Sequence, residues 1–252
     1  MCLIFIAYDC LADHRLLVVA NRDEFHGRAT EPVAFWEDGS ILAGRDLEGG
    51  GTWMGVTRDG RFAALTNFRS ASNPPPNPPT RGALVADFLR GNQSAREYLS
   101  ALGSGAKRFN GFSLLIDDGS EMLFFSNKDC AIQEVPAGVH GLSNHLLNEP
   151  WPKVTRGVQR IRSMIDRDAV DSEALFDMLA DKAIAADSDL PDTGVGVERE
   201  RELSPMFILG GSYGTRSSTV IHIANRASLQ FEERSFDANA NEASRVVHTV
   251  GD

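Results

Sequence analysis

The chain opens on a nearly unbroken apolar run, Cys2-Leu3-Ile4-Phe5-Ile6-Ala7-Tyr8, and a second run over 15–20 follows a short polar gap. Runs this short and continuous predict strands buried on both faces, joined here as a hairpin. The segments 33–36 and 41–43 flank the turn Glu37-Asp38-Gly39-Ser40, and 54–57 and 62–66 flank Asp59-Gly60. Both pairs read as further hairpins. Residues 112–117, 121–126 and 131–135 read as a meander, and 139–142 as a strand entering the polar turn Ser143-Asn144. The segments 206–209, 215–224 and 228–236 read as the closing strands.

Helical patterns occupy 81–91 and 94–102, and Trp151, Val154, Val158, Ile161 and Ile165 recur at helical spacing. A further helix is expected over 172–186, with Leu175, Phe176 and Leu179 on one face. The proline-rich segment 73–79 is expected to be a stiff surface connector. Residues 187–204 are expected to be loop. The order is strands, two helices, strands, two helices, strands, without the β-α-β alternation of a parallel sheet. An α+β fold is therefore expected: a four-layer αββα sandwich of two antiparallel sheets between helix pairs. A single domain would span 1–236, with 237–252 a polar, peripheral C-terminal tail.

Composition narrows the function. A length of 252 residues suits one large domain. The net charge of -10 argues against nucleic acid and anionic membrane as partners. No run reaches the roughly 18 apolar residues of a transmembrane helix, and the apolar N-terminus lacks the basic flank of a secretory signal. Three sparse cysteines, Cys2, Cys10 and Cys130, form neither a disulfide framework nor a CxxC metal pattern. A reducing, cytoplasmic setting is expected. The six histidines show no HxxxH or HExxH spacing, so no metal site is expected. Haem needs only one axial side chain and stays open as a ligand rather than a required cofactor. Gly49-Gly50-Gly51 lacks the GxxxxGK[ST] pattern of a phosphate loop and reads as a flexible loop at a site mouth.

Cys2 is the chief candidate for chemistry. Methionine is generally removed before a small second residue, which would leave one residue carrying a thiol and a free α-amine. That amine, with a reference pKa of roughly 7.7–8.0, is partly neutral near neutrality. It can then serve as the base for its own thiol. The commoner role of a cysteine in such a run is that of a small buried hydrophobe. Arg22 and Asp23, in the polar cluster Asn21-Arg22-Asp23-Glu24 that ends the second strand, would lie beside Cys2 across the hairpin. Arg22 would favour the thiolate, and Asp23 would orient the amine.

The string Asn21-Arg22-Asp23-Glu24 matches the motif that names the NRDE family, also called the transport and Golgi organisation protein 2 family. The start Met1-Cys2-Leu3-Ile4-Phe5, then Gly44-Arg45-Asp46 and Gly50-Gly51-Thr52-Trp53-Met54-Gly55, resemble that family as well. NRDE proteins in turn resemble cysteine N-terminal nucleophile hydrolases such as penicillin V acylase and bile salt hydrolase, although the Arg–Asp spacing is tighter here. The resemblance implies catalytic roles for Cys2, Arg22 and Asp23. Leu65-Thr66-Asn67-Phe68 and Gly141-Leu142-Ser143-Asn144 resemble the segments whose asparagines face the oxyanion, and Gly214-Thr215-Arg216 the segment of a distal active-site arginine. It implies an enzyme in which Cys2, after Met1 is lost, attacks a small acyl amide or thioester. Asn21, Glu24, Arg45 and Trp53 would contact the ligand. The family's links to haem trafficking and acyl-CoA homeostasis imply an alternative, a non-catalytic carrier of haem or acyl-CoA. A membrane-traffic scaffold is a third reading, for which the sequence offers no basic patch or membrane-binding helix.

Overall fold

The computed structural model describes residues 2–71, 75–224 and 228–251. Two antiparallel sheets carry the fold. The first has six strands in the order β10 (Gly138–Leu142), β1 (Cys2–Tyr8), β2 (His14–Phe25), β11 (Tyr213–Ala224), β12 (Leu229–Phe236) and β13 (Glu242–Val250). The second has seven in chain order: β3 (Thr30–Phe35), β4 (Ile41–Asp46), β5 (Met54–Thr57), β6 (Phe62–Asn67), β7 (Phe112–Asp117), β8 (Met122–Ser126) and β9 (Ile132–Glu134).

Alternation along each strand sorts the apolar side chains into layers. Ile4, Ile6, Tyr8, Leu16, Val18 and Ala20 meet Leu42, Met54, Val56, Phe62, Leu115 and Phe124 between the sheets. Leu3, Phe5, Ala7, Leu17 and Val19 point the other way. They are covered by α3 (Pro152–Asp166) and α4 (Ser172–Leu179), through Val154, Ile161, Leu175 and Leu179. The outer face of the second sheet packs Ala63, Leu114 and Ile116 against Val85, Phe88 and Leu99 of α1 (Gly82–Arg90) and α2 (Ala95–Leu102). The four-layer αββα sandwich expected from the pattern is the fold observed. A strand covered on both faces has no solvated side, which explains why β1 reads as continuous apolar sequence. Each fully buried Leu, Ile or Phe contributes roughly 1.5–3 kcal/mol.

Several boundaries differ from the expectation. β2 does not stop at Ala20 but runs through the polar cluster to Phe25, because β11 pairs with it as far as Tyr213 opposite Phe25. The expected tail after 236 contains β13, paired along β12. Its Val246, His248 and Val250 turn toward the second sheet, while Val247 and Thr249 face out. The segment 206–209 is not a strand. It is an irregular stretch that still buries Met206, Phe207 and Ile208. The helix expected over 172–186 ends at Leu179. The expected loop 187–204 carries a short helix, α5 (Val197–Glu202), which buries Glu200. Of the proline-rich segment, 73–74 lie outside the described residues.

Candidate active site around Cys2

The hairpin register sets Cys2 opposite Arg22. Cys2 is 8% exposed, and the Asp23 backbone N–H donates a hydrogen bond to its sulfur. Cys2 opens into a cleft of about 320 Å³ whose wall also includes Arg22, Asp23, Glu24, Trp53, Asn67 and Arg81. Two loops form the opposite wall. A Cβ on Gly51 would lie 2.4 Å from the carbonyl carbon of Gly82, so these backbones cross in a contact that only glycine allows. The crossing brings Gly49 and Thr52 against Pro78, Pro79 and Thr80 across the cleft mouth.

Asp23 is 1% exposed, and its carboxylate accepts a hydrogen bond from Thr215 Oγ1 at 2.7 Å. Burial pushes its carboxyl up, and the Lys153 charge pulls it back. Lys153, at the start of α3, is buried and donates from Nζ to the Leu203 carbonyl at 2.9 Å. Burial draws its ammonium down to about 8, with Asp23 the foremost opposing charge. Arg69 pairs with the buried carboxylate of Glu200 and lies 4.6 Å over the Trp151 ring. Burial also pushes the Cys2 thiol up, against the opposing Arg22 charge. Cys2 thus sits at the edge of a buried cluster holding two acids, Asp23 and Glu200, and two bases, Lys153 and Arg69.

Asn144 closes the end of β10. Its backbone is left-handed, with φ 56°, a conformation asparagine tolerates. Its amide Nδ2 donates to the Asn67 carbonyl at 3.0 Å, and its own carbonyl accepts from the Arg69 backbone N–H at 2.7 Å. The ends of β10 and β6, one from each sheet, are therefore tied together behind Cys2.

A second cleft of about 270 Å³ shares Arg22, Asp46, Thr52 and Trp53 with the first. It contains Arg216, whose guanidinium donates to the carbonyls of Phe25 and Arg28. Asp46 is engaged by Arg28 at 2.8 Å.

A model of the family described as Transport and Golgi organisation 2 matches residues 1–238. The chain belongs to that family. It is 30% identical to the Transport and Golgi organization 2 homolog of Mus musculus and 31% identical to that of Homo sapiens, each alignment covering 93% of both chains. The protein from Drosophila melanogaster is 26% identical over 92% of this chain and 91% of its own. Among solved structures, a Caenorhabditis elegans N-acylethanolamine-hydrolyzing acid amidase ortholog superposes with a TM-score of 0.54 at 14% identity, covering 87% of this chain and 92% of its own. A mutant conjugated bile acid hydrolase from Clostridium perfringens gives 0.52 at 12% identity, covering 100% of this chain and 97% of its own. These likenesses are of fold, the layered sandwich of the N-terminal nucleophile hydrolases.

In this member of the family, the structure brings Cys2, Arg22, Asp23, Glu24, Trp53 and Asn67 to one cleft. Asn144 stands behind it. Arg216 lies in the adjoining cleft rather than with Cys2. One of the expected ligand contacts lies away from both clefts. Asn21 is fully buried on the helix side of β2, where its amide donates to the carbonyls of Leu179 and Met206 and accepts from Ser218. Strand alternation turns it away from the face that Arg22 occupies. Arg45 borders the second cleft, but its guanidinium stacks 5.1 Å over Trp36 in the outer layer. Sequence reasoning missed Arg69, Arg81, Lys153 and Glu200. Glu200 lies in the run Glu198-Arg199-Glu200-Arg201-Glu202, which reads like a solvated helix face. Lys153 had one available signal, a lone lysine between Trp151 and Val154 on a buried helix start. Among the described residues, no group of three or more His, Cys, Asp or Glu could hold a metal ion, and no helix is long and apolar enough to cross a membrane.

Proposed function

We propose that the Cys2 cleft is an acyl-transfer site acting on a small acyl amide or thioester. The observation that carries this reading is the placement of Cys2 across from Arg22, with the Asp23 N–H on its sulfur and Asn67 in the same wall. Removal of Met1 would free the Cys2 α-amine to take the thiol proton. The thiolate attacks the substrate carbonyl carbon, and the C–N or C–S bond breaks as the leaving group takes that proton. Water then cleaves the thioester on Cys2. Asn67 would donate to the oxyanion, with Asn144 bracing the Asn67 backbone from behind. Arg22 favours the thiolate, and Arg216 would hold an anionic part of the substrate in the adjoining cleft. The solved neighbours named as an amidase and a conjugated bile acid hydrolase support this class of reaction. The test is exposure to a panel of acyl amides and thioesters, read by intact mass. A +acyl adduct on des-Met1 protein that is lost in Cys2→Ala is expected. Turnover by protein that retains Met1 would sink the mechanism.

One observation favours a second reading, a cytoplasmic carrier of haem or acyl-CoA. Burial raises the Cys2 thiol, which holds back the thiolate. The cleft wall contains no histidine among the described residues, and a thiol that keeps its proton is a poor axial ligand, so the observation favours acyl-CoA over haem as the cargo. Acyl-CoA binding that survives Cys2→Ala, without any acyl adduct, would decide for the carrier.

A further inference from the structure

Two arginines in the wall of the Cys2 cleft form no ion pair among the described residues. Arg22 makes no hydrogen bond there either, and Arg81 makes a single one, from Nη1 to the Gly111 carbonyl at 3.0 Å. Acids are not scarce, since the chain has 35 against 25 lysines and arginines. Those of the cleft are engaged elsewhere. Asp46 is bound by Arg28 through Nε and Nη2 and by the N–H groups of Glu48 and Gly49. Glu24 accepts from the Phe25 N–H at 2.9 Å and lies 3.9 Å from Arg28. Asp23 accepts from Thr215 Oγ1.

The two guanidiniums come from different walls. Strand alternation sets Arg22 on the face of β2 that Val18 and Ala20 present to the second sheet. Arg81 comes from the segment ahead of α1, and two anchors fix it. The Thr52 N–H donates to the neighbouring Gly82 carbonyl at 3.4 Å, where Gly51 and Gly82 cross. The far end of the side chain is held at Gly111, next to Asn110 of the cleft wall. A fork fixed at both ends loses little freedom when it takes a ligand. Burial also lowers the Arg81 guanidinium from its ordinary value, a penalty that an anion would offset.

We propose that Arg22 and Arg81 form a two-armed seat for an oxyanionic group, carboxylate or phosphate, on the ligand of the Cys2 cleft. Planar guanidinium forks match either group through paired N–H···O bonds. The seat lies on the Cys2 side of Arg22, apart from the Arg216 position in the adjoining cleft. It rests on the acyl-transfer reading only for one consequence: the preferred acyl donor carries its charge close to the bond that breaks.

Two alkylating reagents of similar shape and different charge, iodoacetate and neutral iodoacetamide, test it without any acyl donor. The Cys2 thiolate attacks the methylene carbon of each, a C–S bond forms and iodide leaves. The ratio of the two rates therefore cancels the thiolate fraction. Exposed Cys130 supplies a reference ratio in the same chain, and peptide mass separates the sites. At constant ionic strength, the iodoacetate-to-iodoacetamide ratio should be about tenfold higher at Cys2 than at Cys130. It should fall at least about threefold in Arg81→Gln and in Arg22→Gln. Equal ratios at the two cysteines, or a Cys2 ratio unmoved by Arg81→Gln, overturns the proposal. A second measurement needs no variant. Inorganic phosphate and acetate should slow iodoacetamide at Cys2 but not at Cys130. The stronger protector names the group as phosphate or carboxylate, and protection by neither overturns the seat. If no acyl donor labels Cys2, the acyl-transfer reading fails while the alkylation ratio still decides the seat. Acylation with a flat ratio keeps that reading and discards the seat.

Discussion

Replacing Arg69 by methionine should be among the most damaging single changes outside the hydrophobic layers. Arg69 and Glu200 have side chains only 5% and 3% exposed, and no other cation pairs with Glu200 among the described residues. Removing one partner of such a pair costs about 3–5 kcal/mol, because the other charge stays buried. Glu200 keeps two bonds from Thr193, which argues for the lower end, about 3 kcal/mol. The guanidinium over Trp151 at 4.6 Å contributes about another 1 kcal/mol. A total near 4 kcal/mol corresponds to a fall in Tm of about 8–16 °C for a chain of this size. Urea unfolding of the wild type, Arg69→Met, Glu200→Gln and the double variant gives a complete cycle. The double variant should cost at least about 2 kcal/mol less than the sum of the singles. Additive effects, or a cost below about 1 kcal/mol for Arg69→Met, would show that the pair is not the anchor of this cluster.

Lys153 makes stability depend on alkaline pH. The native ammonium loses its proton near pH 8, whereas an unfolded lysine keeps it to about 10.5. Between those values the unfolded state binds more protons, so this group adds about 3 kcal/mol of stability as pH rises through the window. Urea unfolding of wild type and Lys153→Met at pH 7.5 and 10.5 checks it; a stability difference that is flat with pH contradicts the burial. Gly157→Ala would set a Cβ 2.0 Å from Phe5 Cζ. The overpacking should outweigh the helix-propensity gain by about 1–2 kcal/mol, seen as a lower urea midpoint. Asn21→Ala strands the Leu179 and Met206 carbonyls and the Ser218 hydroxyl. It should cost about 2–4 kcal/mol without changing ligand affinity at the cleft, a split that calorimetry and unfolding together resolve.

The layered fold was legible because burial on both faces leaves a plain mark. The runs at 2–8 and 15–20 have no polar alternation, and only a strand between two covers needs that. The placement of Cys2 beside Arg22 followed from the hairpin alone. What the sequence hid came from contacts over long separations. Arg69 and Glu200 are 131 residues apart, and neither is distinguished from a surface charge by its neighbours. Asn21 shows the opposite error. It belongs to the same four-residue cluster as Arg22 and Asp23, yet strand alternation places it on the helix side, where it joins α4 to the stretch around Met206. Proximity in the motif does not mean a shared cleft. The proline-rich connector also exceeded its expected role, since Pro78 and Pro79 line the Cys2 cleft.

The last strand changes where this protein can safely end. The family match stops at residue 238, but β13 begins at Glu242 and holds β12 along its whole length. Arg245 of that strand also reaches the buried Glu232 at 2.9 Å. A chain cut at 238 would leave the N–H and C=O groups on the β13 side of β12 unpaired beside Leu229 and Phe231, an open apolar rim that invites another copy to add a strand. Shortened protein should therefore self-associate in light scattering at concentrations where the full chain does not. The outermost strand, polar enough to pass for a tail, works as a selvedge that keeps the sheet from growing.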